Sequence, residues 1–349
     1  MTAAAGPRLA IVGAASLIGE ALIELLRERK FAHAGLHLLD DASDLGRPAA
    51  GEDDAAKIGD VAAFDFAQAD LVFFCGRAAV ALRHAPAAAA HAWVIDGSSA
   101  FRERADVPLI VADVNGELLT RTAAGPFEPG ARRGLIALPG SASVALATVL
   151  APLHALAGLE RAEVATYQAV SGSGRSAMEG LAAETVDLLG GRTTKRHSFG
   201  KQIAFNVIPQ VDALDADGVS LEERRLLAET RRVLGLPQAA INATAVRVPV
   251  FFGHSLVVHA SFTKGVTPAA AAAALARASG IEMVEAAGPR LYPTPAIEAL
   301  LPDRVYVGRL RADPTRDRSL NFWIVADNVR KCAAHNAFSV AQILVNSSR

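Results

Sequence analysis

Three groups of residues in this chain are of types that do chemistry. The first is the turn GAASLIG (Gly13–Gly19), which follows the apolar run RLAIVG and opens the helical pattern SLIGEALIELLRERK. A strand–turn–helix of this kind brings backbone close to a pyrophosphate and aims a helix N-terminus at the anion. Its spacing is G-x-x-x-x-x-G, with Ser16 where a middle glycine is usual. It therefore equally describes two glycines that serve only tight packing. The second group is Asp40, Asp41 and Asp44 in LLDDASDLG. An acid at the end of the second strand can accept from the adenosine ribose of NAD, whereas the 2′-phosphate of NADP is repelled by such a cluster. The third group is made of polar residues in the second half that carry no motif of their own. Taken singly, Glu222 and Arg225 are an i,i+3 helix pair, and Arg247 and His254 are polar positions on a pair of strands.

The elements that must carry these residues alternate at first. RLAIVG, LHLLD, DLVFFCG, WVIDGS, PLIVADV (Pro108–Val114) and GLIALPG are short apolar runs that fit buried strands, and AAVALRHAPAAAAHA between two of them fits a helix. Strand, helix, strand in this order predicts an α/β, Rossmann-like doubly wound domain. After about Gly140 the pattern changes. A helix begins near Ser141, EVATYQAVSGSG follows, and then longer alternating runs appear: INATAVRVPVFFGHSLVVHASF, EMVEAA, RVYVGRLRAD and LNFWIVADN. These predict a central α+β domain with a mainly antiparallel sheet, and the tail from Val329 returns to helix. The expected domains are 1–140 with 329–349, and 141–328.

Length and composition fit two domains. The chain has 349 residues, 51% of them hydrophobic and 20% charged, with a formal net charge of −1. That balance gives no electrostatic reason for a nucleic-acid or anionic-membrane partner. Two cysteines, Cys75 and Cys332, are too few for a disulfide framework and fit a reducing cytoplasm. No apolar run is long enough to span a bilayer, and no metal site is expected.

Several stretches together resemble the aspartate-semialdehyde dehydrogenase family: GAASLIGEALIELL, VIDGSSAFR, VPLIVADVN, TYQAVSGSG, KQIAFNVIPQVD, LEERRLLAETRRVLGLP, RVPVFFGHS, YVGRLRADP and LNFWIVADNVRKCAAHNA. They stand in the family's order from about residue 8 to the end. The resemblance implies a dinucleotide-binding domain completed by the C-terminal helix, and a central domain that carries catalysis and a homodimer interface. It implies the NADP-dependent reduction of L-4-aspartyl phosphate to aspartate semialdehyde, a step of amino-acid biosynthesis in which a cysteine thiolate forms an acyl-thioester.

Carried over residue by residue, Arg102 matches the family's phosphate-binding arginine, Arg247 the arginine that grips the substrate α-carboxylate, and His254 the acid/base histidine. Glu222 matches the carboxylate that holds the substrate amine, and Gln168 the glutamine beside the nucleophile. Arg225 stands where a lysine for phosphate is usual. The cofactor positions are Gly13, Ala15, Ser16, Leu17, Ile18, Ser171, Gly172 and Asn328.

The nucleophile side departs from the pattern. The family reads approximately Asn-Pro-Asn-Cys-Ser/Thr where this chain reads Leu138-Pro139-Gly140-Ser141-Ala142. Cys75 and Cys332 match other elements. At CGRAA (Cys75–Ala79), where the family has a serine and paired glycines, Arg77 is expected to intrude on the cofactor, and Ser16 to crowd the pyrophosphate turn. Four readings follow. One is a pseudoenzyme with impaired or lost activity that still binds a ligand like aspartyl phosphate or aspartate semialdehyde. A second is an active oxidoreductase using Ser141, with NAD. A third is a hydrolase-like enzyme pairing Ser141 with His254 as nucleophile and base. The last is a scaffold that keeps only the dimer.

Overall fold

The computed structural model describes residues 6–41, 57–122, 133–193, 198–284, 291–301 and 303–347. Asp44 lies outside them. The chain divides into two compact units, Met1–Pro139 with Ala333–Arg349, and Gly140–Cys332.

The first unit is a doubly wound α/β layer. Strands β1 (Arg8–Val12), β2 (Gly35–Asp40), β3 (Gly59–Asp60), β4 (Leu71–Phe74), β5 (Trp93–Asp96) and β6 (Gly134–Ala137) form one sheet in the order β3-β2-β1-β4-β5-β6. Every pairing in it is parallel. Helices α1 (Leu17–Glu28), α2 (Ala78–Ala89), α3 (Ala112–Asn115) and α4 (Glu117–Thr122) fill the crossovers. A core of Leu9, Ile11, Leu22, Leu25, Phe73 and Ile95 is closed by Phe338 and Leu344 from the last helix, Asn336–Asn346. Strands covered on both faces read as continuous apolar runs, which is why these elements are visible in the sequence.

Pro108–Val114 is the exception, and the expectation of a strand there is corrected. Leu109 makes one isolated bridge to Ala137. The Asn115 side chain then accepts from Val111 N–H at 2.9 Å and donates to Leu109 O at 3.0 Å. Those backbone groups would have served a ladder, and their capture turns the chain into α3.

The second unit is a six-stranded sheet under helices. Its helices α5 (Ser141–Ala157), α6 (Arg175–Leu189), α7 (Leu221–Leu234) and α8 (Pro268–Arg277) accompany β7 (Leu159–Gln168), β8 (Ala240–Arg247), β9 (His254–Phe262), β10 (Ile281–Met283), β11 (Val305–Ala312) and β12 (Ser319–Ala326). The strand order is β10-β11-β12-β9-β7-β8. The sheet is mainly antiparallel but mixed, because β7 with β8 and β10 with β11 run parallel. Helix α5 is apolar on nearly all sides and packs on the sheet as a buried helix does. The tail begins as a π-helical turn, Arg330–His335, before the final helix, α9 (Asn336–Asn346).

Period-two alternation sets the faces. Ala162, Val164 and Thr166 on β7, Ile241 and Ala245 on β8, and Leu256, Val258, Ala260 and Phe262 on β9 are the inward rows beneath the helices. Each row ends in a polar residue at the same end of the sheet: Gln168, Arg247 and His254. Gln168 and Arg247 are direct partners in the β7–β8 register.

Helix α7 is fixed by its first turn. Ser220 Oγ accepts from Glu223 N–H at 3.2 Å, and Glu223 returns by accepting from Ser220 N–H at 2.7 Å and from Ala245 N–H of β8 at 2.8 Å. Glu223→Ala would orphan two buried amides at about 1–3 kcal/mol each. It should lower the stability of this unit by about 3 kcal/mol in a urea titration, and a loss below about 0.5 kcal/mol would contradict this account of the helix start.

Candidate functional site

The end of the second sheet gathers Gln168, Arg247 and His254, all buried. Arg247 donates from Nη1 to Ala169 O at 2.7 Å, and its guanidinium lies over the Phe199 ring at 5.4 Å from the centroid. Burial lowers its pKa to about 10, opposed by Glu222 and then Asp212. It remains a cation near neutral pH. Gln168 donates from Nε2 to Glu222 Oε1 at 2.8 Å and to Thr166 Oγ1 at 3.3 Å. Glu222 reaches Gln168, while Arg225 Nη1 reaches Asp212 Oδ2 at 3.4 Å.

His254 has a defined tautomer. Ala169 N–H donates to His254 Nδ1 at 3.2 Å. With that lone pair engaged, the neutral ring carries its proton on Nε2. Burial first, and the Arg247 charge second, push its pKa down to about 3, so the ring is neutral near pH 7. Its Nε2 then presents an N–H, as Arg247 Nη1 does.

Both donors meet over Gly172. A Cβ built on this exposed glycine would stand 3.0 Å from Arg247 Nη1 and 3.5 Å from His254 Nε2. A side chain here would press on both groups. Ser171 and Asn328 border the same end. Asn328 Nδ2 donates to Ser171 Oγ at 3.0 Å, and its Oδ1 accepts from Gly253 N–H at 3.0 Å, next to His254.

Ser141 is half-buried and opens α5, whose N-terminus carries the positive end of a long helix. The residue before it, Gly140, donates its N–H to Glu229 Oε2 at 2.7 Å. The sequence reading does not single out Glu229, although it lies seven residues after Glu222 and so on the same face of α7. That interval is the available signal. Neither cysteine is suited to act as a nucleophile, since both are buried. Desolvation raises the Cys75 thiol far above its usual range and pushes the Cys332 thiol up to about 12.

In the first unit, the expected cofactor turn is built from Gly13, Ala15, Ser16, Leu17 and Ile18. Gly13 has φ +86°, and a Cβ there would meet Gly76 N at 2.6 Å, so glycine is demanded by packing against the end of β4. Ser16 is corrected from a crowding residue to a cap. Its Oγ accepts from Gly19 N–H at 3.0 Å and donates to Cys75 O at 2.9 Å. Asp40 accepts from Ala15 N–H at 3.2 Å. Arg77 is ion-paired with Asp41, which moderates the acidic cluster read from the sequence. Arg102 donates to Leu138 O at 2.8 Å and to Gly97 O at 3.0 Å, bracing the segment that leaves β6. Among the described residues, no cluster of His, Cys, Asp and Glu could hold a metal, and no helix is long and apolar enough to cross a membrane.

Comparison with known proteins adds to this geometry. Residues 8–122 match the NAD-binding domain of semialdehyde dehydrogenases, and residues 150–331 match their dimerisation domain. The aspartate-semialdehyde dehydrogenase of Legionella pneumophila is 38% identical over 96% of this chain and 95% of its own. A Pseudomonas aeruginosa protein named a USG-1 protein homolog is 40% identical over 97% of each chain. The crystal structure of aspartate-semialdehyde dehydrogenase II from Vibrio cholerae, complexed with ASA, superposes with a TM-score of 0.91 at 35% identity, covering 98% of each chain. On its sequence, both of its domains and its fold, the chain belongs to the aspartate-semialdehyde dehydrogenase family.

Proposed function

We propose that this chain binds a small α-amino acid of the aspartate-semialdehyde or aspartyl-phosphate type, and interconverts the two slowly or not at all because Ser141 stands where the family carries its cysteine. The observation that carries the reading is the convergence of Arg247 Nη1 and His254 Nε2 on the position that Gly172 leaves without a side chain, with Gln168 linked to Glu222. Two N–H donors suit a carboxylate or a developing oxyanion, and Glu222 suits an amine. Arg102 and Arg225 are the proposed phosphate contacts.

The turn at Gly13–Ile18, at the N-terminus of α1, fits the pyrophosphate of a nicotinamide dinucleotide. Asp40, next to Ala15, fits a ribose hydroxyl and favours NAD over NADP. When bound, that cofactor supplies the hydride. Ser171, Gly172 and Asn328 are the proposed cofactor contacts of the second unit, and a homodimer through this unit is the proposed assembly. The Pseudomonas relative, at 40% identity, carries another name, so likeness at this level does not by itself assign the activity.

The chemistry at residue 141 decides turnover. A cysteine thiol has a pKa of about 8.5 and ionises readily in a positive field. A serine hydroxyl attacks only with a base to take its proton. His254 offers Nε2 as a donor, the wrong polarity for that base, which weighs against the hydrolase-like pairing of Ser141 with His254. An oxygen ester is also less electrophilic toward hydride than a thioester.

Calorimetric titration with aspartate semialdehyde should show binding, and Gly172→Ala should weaken it by about tenfold, roughly 1.4 kcal/mol. Equal affinity in the two proteins would remove the pocket from this position. In assays with aspartate semialdehyde, phosphate and NAD or NADP, the wild-type chain should give no more than trace turnover. Ser141→Cys should produce a fast-alkylating thiol and still only trace turnover, whereas strong NADP-dependent turnover would show an intact cofactor site.

His254 also predicts a pH response. Its folded pKa of about 3 lies below the ordinary 6.5, so folding favours the neutral ring. Above about pH 6.5 there is no penalty; below it the unfolded chain takes up the proton and stability falls until about pH 3. The wild type should lose about 2 kcal/mol between pH 7 and pH 5 from this group. The His254→Gln protein should lack that component, and parallel pH–stability curves would refute the assignment.

A further inference from the structure

The turn in front of α5 raises a question of position. Gly140 has no side chain, takes an extended conformation (φ −60°, ψ 152°), and caps α5 without a side-chain hydrogen bond. Glycine in such a place leaves the next residue loosely aimed unless its backbone is held. The Gly140 amide is held by Glu229, a carboxylate that is only 3% exposed. At 2.7 Å the bond has the length of a charge-assisted contact.

Glu229 sits on the helix that also carries Glu222, and the interval of seven residues stacks both on one face. Glu222 holds Gln168 at the end of β7. Glu223, on the same helix, holds Ala245 of β8, two residues before Arg247. Helix α5 packs directly against α7. A single helix thus ties the turn before residue 141 to the strand ends that bear Gln168 and Arg247.

We infer that Glu229 is a positioning residue, whose buried carboxylate holds the Gly140 amide and so sets where the side chain of residue 141 stands at the start of α5. The inference rests on the reading that position 141 belongs to the pocket. Nothing transfers to or from Glu229 itself.

The test uses the full chain carrying Ser141→Cys, with iodoacetamide alkylation followed across pH. Cys75 and Cys332 are buried with raised thiol pKa values and stay silent. With Glu229 intact, the new thiol should ionise below the roughly 8.5 of a free cysteine. Adding Glu229→Ala should shift the profile up toward that value and slow alkylation at pH 7 by about tenfold, the change in thiolate fraction for one pKa unit. Glu229→Gln keeps an acceptor oxygen and should retain the profile. If Glu229→Ala does not fold, Glu229→Asp, which withdraws the acceptor by one methylene, should give the same upward shift.

A profile that stays put in Glu229→Ala or Glu229→Asp while the melting temperature drops would reduce Glu229 to a packing role and overturn the inference alone. Faster alkylation in Glu229→Gln would overturn it too, since charge rather than position would then be the lever. A Ser141→Cys thiol no more reactive than free cysteine, with Glu229 in place, would overturn both this inference and the pocket reading beneath it.

Discussion

A buried cation organises the second unit. Taking a guanidinium out of water costs several kcal/mol unless hydrogen bonds and opposite charge replace the solvent. Arg247 meets that demand with the Ala169 carbonyl, the Phe199 ring and the nearby charges of Glu222 and Asp212. The requirement then propagates. The Ala169 backbone that accepts from Arg247 also donates its N–H to His254, so one residue of the β7 exit fixes both neighbours. The positive charge of Arg247 helps to keep His254 neutral. Remove the cation, and the strand ends lose a contact that holds them and the smaller of the two causes that keep His254 neutral.

Helix α7 makes the complementary contribution with anions. Its sequence LEERRLLAETRRVL has charged residues on nearly every turn, and on a solvated helix these would be ordinary surface pairs. Here three of the glutamates face inward or sideways. Glu223 closes the capping box and reaches β8, Glu222 meets Gln168, and Glu229 holds Gly140. Buried carboxylates that accept from backbone amides and side-chain amides are strong and directional. The helix therefore fixes register between elements far apart in sequence rather than merely covering the sheet.

The two-unit division and the α/β first half are legible in the amino-acid sequence, because strands buried on both faces leave uninterrupted apolar runs. The sequence is less informative wherever a side chain captures backbone. Asn115 turns an apolar run into a short helix, and no local pattern announces that. The parallel pairing of β7 with β8 is likewise hidden, since alternation reports a face and not a partner. Among the site residues, Gln168, Arg247 and His254 are named through family order, and the reason they meet is the shared inward row that ends at one edge. The pairing of Arg77 with Asp41, and the capture of Gly140 by Glu229, join residues 36 and 89 positions apart and carry no local mark.

The polarity of the pocket bears on why a serine at position 141 is so different from a cysteine. Arg247 presents an N–H, and the tautomer of His254 set by Ala169 presents another. A thiol can surrender its proton to solvent and be kept as thiolate by the N-terminus of α5, and on the proposed function by those donors as well. A hydroxyl cannot do so near neutral pH, and the His254 imidazole has its accepting lone pair turned toward the backbone. Donors that stabilise an anionic nucleophile are of no help in creating one from serine. The same donors still suit a carboxylate that arrives already charged. On the proposed function, exchange of one atom type at position 141 separates recognition from reaction, leaving the forces that hold a ligand while withdrawing the thiolate that would attack it.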